Sequence, residues 1–238
     1  MPKSALFRRT ALLMALLLPA WAAVAAGPAG PGVPDTMAQR MLACTVCHGE
    51  QGRATRSGYF PRIAGKPAGY LYNQLVHFRA GRRHNEGMSS LLDSLSDDYL
   101  REIAAHFASL DLPYPAPPAS DAPATVLQRG ETLALRGDPA RDLPACVTCH
   151  GQALTGVNPA IPGLLGLPRD YLIAQLGGWQ TGLRRASAPD CMAHVARRLS
   201  GGDVSAVAGW LAVQPLPVNT RPAPATAVPL PLRCGSEG

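Results

Sequence analysis

The feature that most constrains this chain is a hexapeptide that occurs twice. Cys44-Thr45-Val46-Cys47-His48-Gly49 returns as Cys146-Val147-Thr148-Cys149-His150-Gly151, displaced by 102 residues. Its surroundings return with it. Within residues 61–74, Gly65, Pro67, Tyr70, Leu71 and Gln74 recur as Gly166, Pro168, Tyr171, Leu172 and Gln175, displaced by 101, and Leu95-Ser96 recurs as Leu199-Ser200, displaced by 104. Such a period is far longer than the roughly 20–50 residues of a solenoid unit, so it reads as the tandem duplication of a whole domain. Slippage by one to three residues marks small loop insertions between the copies.

Both copies carry helical periodicity. Short helices over residues 36–44 and 126–136 lead toward the cysteines. Leu71, Leu75 and Phe78, matched by Leu172, Leu176 and Trp179, mark one face of a middle helix. In the last helix of the first copy Ser96 is a good N-cap, Asp97 and Asp98 suit the positive helix end, and Leu100, Ile103, Ala104 and Phe107 fall at i, i+3, i+4 and i+7. Ser200 and Asp203 begin the matching helix, with Val204, Val207, Ala208 and Leu211 at the same spacing. No strand alternation stands out, so the fold class is all-α. Residues 112–125 contain five prolines and read as an extended linker; a second proline-rich stretch follows Pro215.

Lys3, Arg8 and Arg9 precede an apolar run over residues 11–18, which Pro19 ends before the small residues Ala23, Ala25 and Ala26. That is the layout of a secretory signal over residues 1–26, and the run falls short of the roughly 18 apolar residues of a spanning helix. The expected organisation is therefore a signal at 1–26, a first domain at 27–111, a linker at 112–125, a second domain at 126–214 and a tail at 215–238. Removing the three signal cations from a formal +6 leaves +3. No basic run or interleaving of basic and aromatic residues suggests a nucleic-acid partner.

Cys-x-x-Cys-His is the attachment signature of c-type haem. Two thiols add to the two vinyl groups on one porphyrin edge, and the adjacent histidine reaches the iron; a short helical turn presents all three. A zinc ribbon would need further paired ligands, and a redox dithiol does not need the histidine. Two such motifs imply two covalently bound haem c groups, on Cys44 and Cys47 and on Cys146 and Cys149, with His48 and His150 as axial ligands.

The sixth iron position separates electron transfer from chemistry on oxygen or peroxide. Met88 lies 40 residues after His48 and Met192 lies 42 after His150, each ahead of the final helix of its copy and expected on a loop folding back over the haem. Their displacement of 104 equals that of Leu95-Ser96, in a chain with six methionines. The alternatives are methionines that fill the core, or one of His77, His84, His106 and His194 as ligand. His77 falls opposite Gly178 and His106 opposite Trp210, so neither recurs in the second copy. Arg82 and Arg83, echoed by Arg184 and Arg185, could pair with haem propionates, line a docking surface or form a solvated basic turn.

The paired motifs, the Pro-x-x-x-Gly-x-Pro-x-x-Tyr-Leu-x-x-Gln-Leu segments and the methionine-to-helix spacing resemble class I cytochrome c domains in tandem, as in dihaem cytochromes of the c-four type and dihaem subunits of periplasmic dehydrogenases. The resemblance covers residues 36 to about 213. It implies two small helical domains, each wrapped around one haem with His48/Met88 or His150/Met192 on the iron, and two haems close enough for internal transfer. It also implies that a proline carbonyl accepts the Nδ1 proton of each haem histidine, with Pro61 and Pro162 at suitable distances in the chain. Two departures are His106, where an aromatic residue is usual, and Cys191 directly before Met192.

Cys191 and Cys234 remain. In an oxidising compartment a disulfide is the first expectation, closing a loop of about 40 residues and stabilising by roughly 3–4 kcal/mol through loop-closure entropy. Thiolate ligation of iron by Cys191 in place of Met192 is the sharper alternative. The expected function is a periplasmic electron carrier, not an enzyme, that receives electrons from a quinol-oxidising complex or dehydrogenase and passes them to a terminal oxidase or reductase. It would meet a membrane only through such partners. A dedicated subunit of a dehydrogenase or oxidase is the alternative, and a dihaem peroxidase-like enzyme would need an open iron position.

Overall fold

The computed structural model describes residues 32–55, 57–225 and 230–236; the expected signal at 1–26 lies outside them. In chain order the α-helices are α1 Met37–Arg40, α2 Leu42–His48, α3 Ala68–Arg79, α4 Glu86–Leu92, α5 Asp97–Ser109, α6 Ala124–Leu135, α7 Cys146–His150, α8 Arg169–Thr181, α9 Cys191–Arg198 and α10 Gly201–Ala212. Among the described residues the one addition to an all-helical reading is a ribbon of two-residue strands, β1 Gly156–Val157 paired antiparallel with β2 Ile161–Pro162. It is too short for residue alternation to reveal. No helix among the described residues is long and apolar enough to cross a membrane.

The two halves of residues 36–236 are built alike. Ser96 Oγ accepts from Tyr99 N at 3.2 Å and starts α5, whose Leu100, Ile103, Ala104 and Phe107 are buried against α3. Leu71 and Phe78 of α3, Met41 and Leu92 complete that core. In the second half Ser200 and Asp203 form a reciprocal capping box at the start of α10. Val204, Val207, Ala208 and Leu211 then pack with Leu172, Leu133, Leu143 and Leu165. Helix α6 lies so close to α10 that a Cβ on Gly130 would stand 2.2 Å from the Ala206 carbonyl oxygen.

Residues 110–121 contain no helix or strand, as their prolines dictate. They are nevertheless held by both halves. Buried Arg62 donates to the carbonyls of Leu112 and Pro113, and its guanidinium lies 3.8 Å over the Tyr114 ring. That ring occupies the space a side chain would need at Gly166, whose φ of +69° also favours glycine. The halves further meet where Gly69 N donates to Pro159 O at 3.0 Å and Lys66 Nζ to Gly163 O at 3.2 Å. The tail packs on the second half, with Asn158 N to Ala223 O and Ala223 N to Gly156 O both at 2.9 Å.

Candidate haem sites

Helix α2 carries Cys44, Cys47 and His48 on less than two turns, and α7 carries Cys146, Cys149 and His150 on five residues. Glycine follows each histidine because the chain reverses there at φ +74° (Gly49) and +83° (Gly151). At Gly49 a Cβ would also strike the Ala54 carbonyl oxygen at 2.3 Å. Both histidines are buried. His48 Nδ1 lies 2.9 Å from the Pro61 carbonyl oxygen, and His150 Nδ1 lies 2.7 Å from that of Pro162. A carbonyl only accepts, so each Nδ1 carries the proton and each Nε2 keeps its lone pair. Burial lowers the pKa of both rings more than these hydrogen bonds raise it, so both imidazoles are neutral at pH 7. Neutral imidazole with a fixed tautomer is the form that binds a metal.

The cysteines of the two motifs take no part in a disulfide. Burial raises the Cys44 thiol and pushes Cys146 up to about 12, so both stay protonated. Cys44 and Met88 pack against the same core, with Leu71, Phe78 and Leu100. Met192 packs with Leu176, Trp179, Ala193 and Ala196. The methionines stand in the first turns of α4 and α9, and not on loops as their spacing suggested. Asn85 accepts from Met88 N at 3.0 Å and Asp190 accepts from Ala193 N at 3.0 Å; these N-caps turn both segments into short helices.

Three of the competing histidines contact other side chains and the fourth is exposed. His77 is buried with Nε2 3.3 Å from Ser187 Oγ, and His194 Nε2 lies 3.2 Å from Asp142 Oδ2. His106 sits edge-on to Phe107, and His84 is exposed. Cys191 and Cys234 are joined by a disulfide, which removes the thiolate that iron ligation by Cys191 would need. Among the described residues no three or more His, Cys, Asp or Glu side chains gather as a zinc site would require.

The two arginine turns, far apart in the chain, come together in the fold. Arg83 and Arg184 pair as an antiparallel bridge, and Arg185 N donates to Arg82 O at 2.7 Å. Arg82 and Arg185 point to solvent, whereas Arg184 is buried and Arg83 half-buried. Arg83 donates to Gln74 Oε1 (3.1 Å), Gln175 Oε1 (2.8 Å) and Tyr171 Oη (3.0 Å). Arg184 donates to Gln175 Oε1 (2.7 Å) and Gln74 Oε1 (3.0 Å) and stacks 3.8 Å over Trp179. Each guanidinium thus bridges both halves, using Gln74 and Gln175, which stand at matching positions of the two similar segments.

Among the described residues neither arginine has a carboxylate partner. Burial and then the like charge of Arg83 lower the Arg184 pKa. Burial would raise the Tyr70 phenol, but Arg184 and Arg83 outweigh it and pull it down. A positive field without protein counter-charge, beside the buried and unpartnered Trp179 Nε1, suits an anionic group with hydrogen-bond acceptors. Haem propionates are such groups, so the residues present fit the cofactor.

No family model matches the chain. It is 38% identical over 197 residues to the thiosulfate dehydrogenase electron acceptor of Thiomonas intermedia (strain K12), covering 82% of this chain and 86% of that one. It is 32% identical over 170 residues to cytochrome c4 of Pseudomonas aeruginosa, covering 71% and 82%. The chain belongs to the dihaem class I cytochromes c. The fold agrees: the structure of reduced recombinant cytochrome c4 from Pseudomonas stutzeri superposes with a TM-score of 0.63 at 29% identity, over 72% of this chain and 93% of that one. Thiosulfate dehydrogenase (TsdBA) from Marichromatium purpuratum superposes at 0.65 with 36% identity, over 73% of this chain, which spans only 36% of that one. Like its relatives in this family, the dihaem cytochrome transfers electrons and is not an enzyme.

Proposed function

We propose that the chain is an exported, periplasmic cytochrome that holds two haem c groups covalently, on Cys44 and Cys47 and on Cys146 and Cys149. His48 and Met88 ligate one iron and His150 and Met192 the other. The domains are residues 27–111 and 126–214, flanked by the signal at 1–26, the linker at 112–125 and the tail at 215–238. The observation that carries the reading is the same histidine-to-proline-carbonyl bond in both halves, at 2.9 and 2.7 Å. It orients each Nε2 lone pair and makes the ring more basic toward iron.

A bound haem supplies a one-electron centre. The chain's residues then set its properties. Met88 and Met192 favour the ferrous state, as thioether ligands do, and raise the potential. The apolar cores around them act in the same direction by disfavouring the extra charge of ferric iron. Arg83 and Arg184 take the propionates as counter-charges. These guanidiniums then raise the potential further, because cations beside a redox centre favour its reduced form.

The relatives' names point to the electron donor. We infer that this cytochrome accepts electrons from a thiosulfate-oxidising dehydrogenase, as a free carrier or as its dedicated subunit, and passes them to a terminal oxidase or reductase. The test uses purified holoprotein with two haems by pyridine haemochrome assay. The thioether-to-ferric-iron charge-transfer band is expected with intensity for both haems, halved in Met88→Ala and in Met192→Ala. Thiosulfate with a thiosulfate dehydrogenase should reduce both haems, whereas thiosulfate alone should not. A five-coordinate ferrous centre that binds carbon monoxide in the wild-type protein would end the carrier reading for that half.

A further inference from the structure

The disulfide between Cys191 and Cys234 closes on one of the two methionine segments and has no counterpart in the other. Its surroundings form a strap. Gly235 N donates to Pro189 O at 2.9 Å, and Ser187 N donates to Ser236 Oγ at 3.3 Å. A Cβ on Gly235 would stand 2.1 Å from the Ala188 carbonyl oxygen, so the tail lies backbone to backbone on the loop before α9. The strap also reaches the first half, where Asn73 Nδ2 donates to Ser236 O at 3.0 Å and His77 contacts Ser187.

The two methionine helices need different support. In α4, Leu92 is buried at 2% exposure, Ser89 Oγ donates to Phe78 O at 3.1 Å, and the cap Asn85 donates to Tyr59 Oη at 3.3 Å. In α9 the buried residues are only Ala193 and Ala196. Its C-terminal end is tied down, since Gln180 Nε2 donates to the carbonyls of Ala196 (2.9 Å) and Leu199 (2.7 Å). Its N-terminal end, where Met192 stands, is held by the Asp190 cap, the packing of Met192 on Leu176 and Trp179, the contact of His194 with Asp142, and one covalent bond, at Cys191. A helix of this length has little stability of its own, and two alanines bury little apolar surface.

We propose that the disulfide strap positions Met192, so that methionine ligation in the second half depends on a covalent tie to the tail while ligation by Met88 does not. The proposal rests on Met192 being an iron ligand. Cutting the tie leaves the N-terminal turn of α9 free to swing away, which populates a state with a vacant sixth position at the second haem only. An external ligand then binds more tightly in proportion to that population.

The experiment uses ferric holoprotein in two forms that lack the bond: Cys191→Ser/Cys234→Ser, and wild type whose disulfide is reduced by a phosphine, alkylated and returned to the ferric state. The second form keeps the test alive where the variant does not fold. Imidazole is titrated while haem-methyl resonances, assigned with Met88→Ala and Met192→Ala, report each haem separately. We expect affinity at the second haem to rise about ten-fold or more, with less than about two-fold change at the first. Unchanged affinity at both haems, or an equal rise at both, overturns the strap while leaving methionine ligation intact. A full charge-transfer band in Met192→Ala overturns the ligation reading and the strap with it.

Discussion

Gly130 and Gly177 are both mid-helix glycines, and the same substitution should act on them in opposite directions. Alanine is preferred over glycine in a helix by about 0.8–1.0 kcal/mol, so propensity alone favours Gly→Ala at both. At Gly177 in α8 a Cβ meets no other protein atom within 4 Å, and the matching residue of the first half is Val76. At Gly130 in α6 the Cβ would stand 2.2 Å from the Ala206 carbonyl oxygen and 2.7 Å from Trp210 Cβ. Reaching ordinary contact requires α10 to retreat by about 1.2 Å. A gap of about 1 Å forfeits up to roughly half of each van der Waals contact across it. Val204, Val207 and Leu211 travel with α10, and full burial of such side chains stabilises by about 1.5–3 kcal/mol each. Losing a third to a half of that, less the gain in helix propensity, leaves Gly130→Ala about 2 kcal/mol less stable. For a compact unit of about 200 residues this is about 4–8 °C in Tm. The assay is thermal unfolding of ferric holoprotein followed by far-ultraviolet circular dichroism and the Soret band. Gly177→Ala should melt at or slightly above wild type. A Gly130→Ala protein that does the same would refute the close packing of α6 on α10.

Further outcomes follow from charge and burial. Burial first, then Arg82 and Arg184, lower His77 to about 4, so its ring resonances in the ferrous protein should stay flat from pH 5 to 8. The unfolded chain takes up that proton near pH 6.5, so stability should fall as pH drops from about 6.5 toward 4, and His77→Gln should flatten that fall. The Asp203 carboxyl, although burial raises it, is held well below the usual range by Arg141, the Ser200 backbone N–H and Arg129. Its contribution is present above about pH 4 and is lost as pH falls through the lower folded pKa. Asp203→Asn should therefore destabilise the second half at pH 7, and its deficit relative to wild type should shrink in acid, read from melts between pH 3 and 7. Arg184→Leu should lower the potential of at least one haem in redox titration; an unchanged pair of potentials would detach the arginines from the propionates.

The repeat made much of this protein legible before any fold was known. Both haem motifs, the helix caps at Ser96, Ser200 and Asp203, and the registered pair Met88 and Met192 stand in the chain because each rests on local chemistry: a helical turn, a cap, a fixed spacing. The turns that make α4 and α9 helical were harder to see, since a single Asn or Asp cap before seven or eight residues carries little periodicity.

Other features belong to no segment by itself. The Arg83–Arg184 cluster brings together side chains from α3, α8 and two turns, and only folding shows that these cations are withdrawn from water and shared by both halves. The strap on Met192 joins residues 43 positions apart, and what matters is which backbone the tail covers when it returns. Local chemistry is written residue by residue and survives in the one-dimensional order. Burial, like-charge proximity and close approach depend on which distant segments share a volume, and that is decided by packing alone.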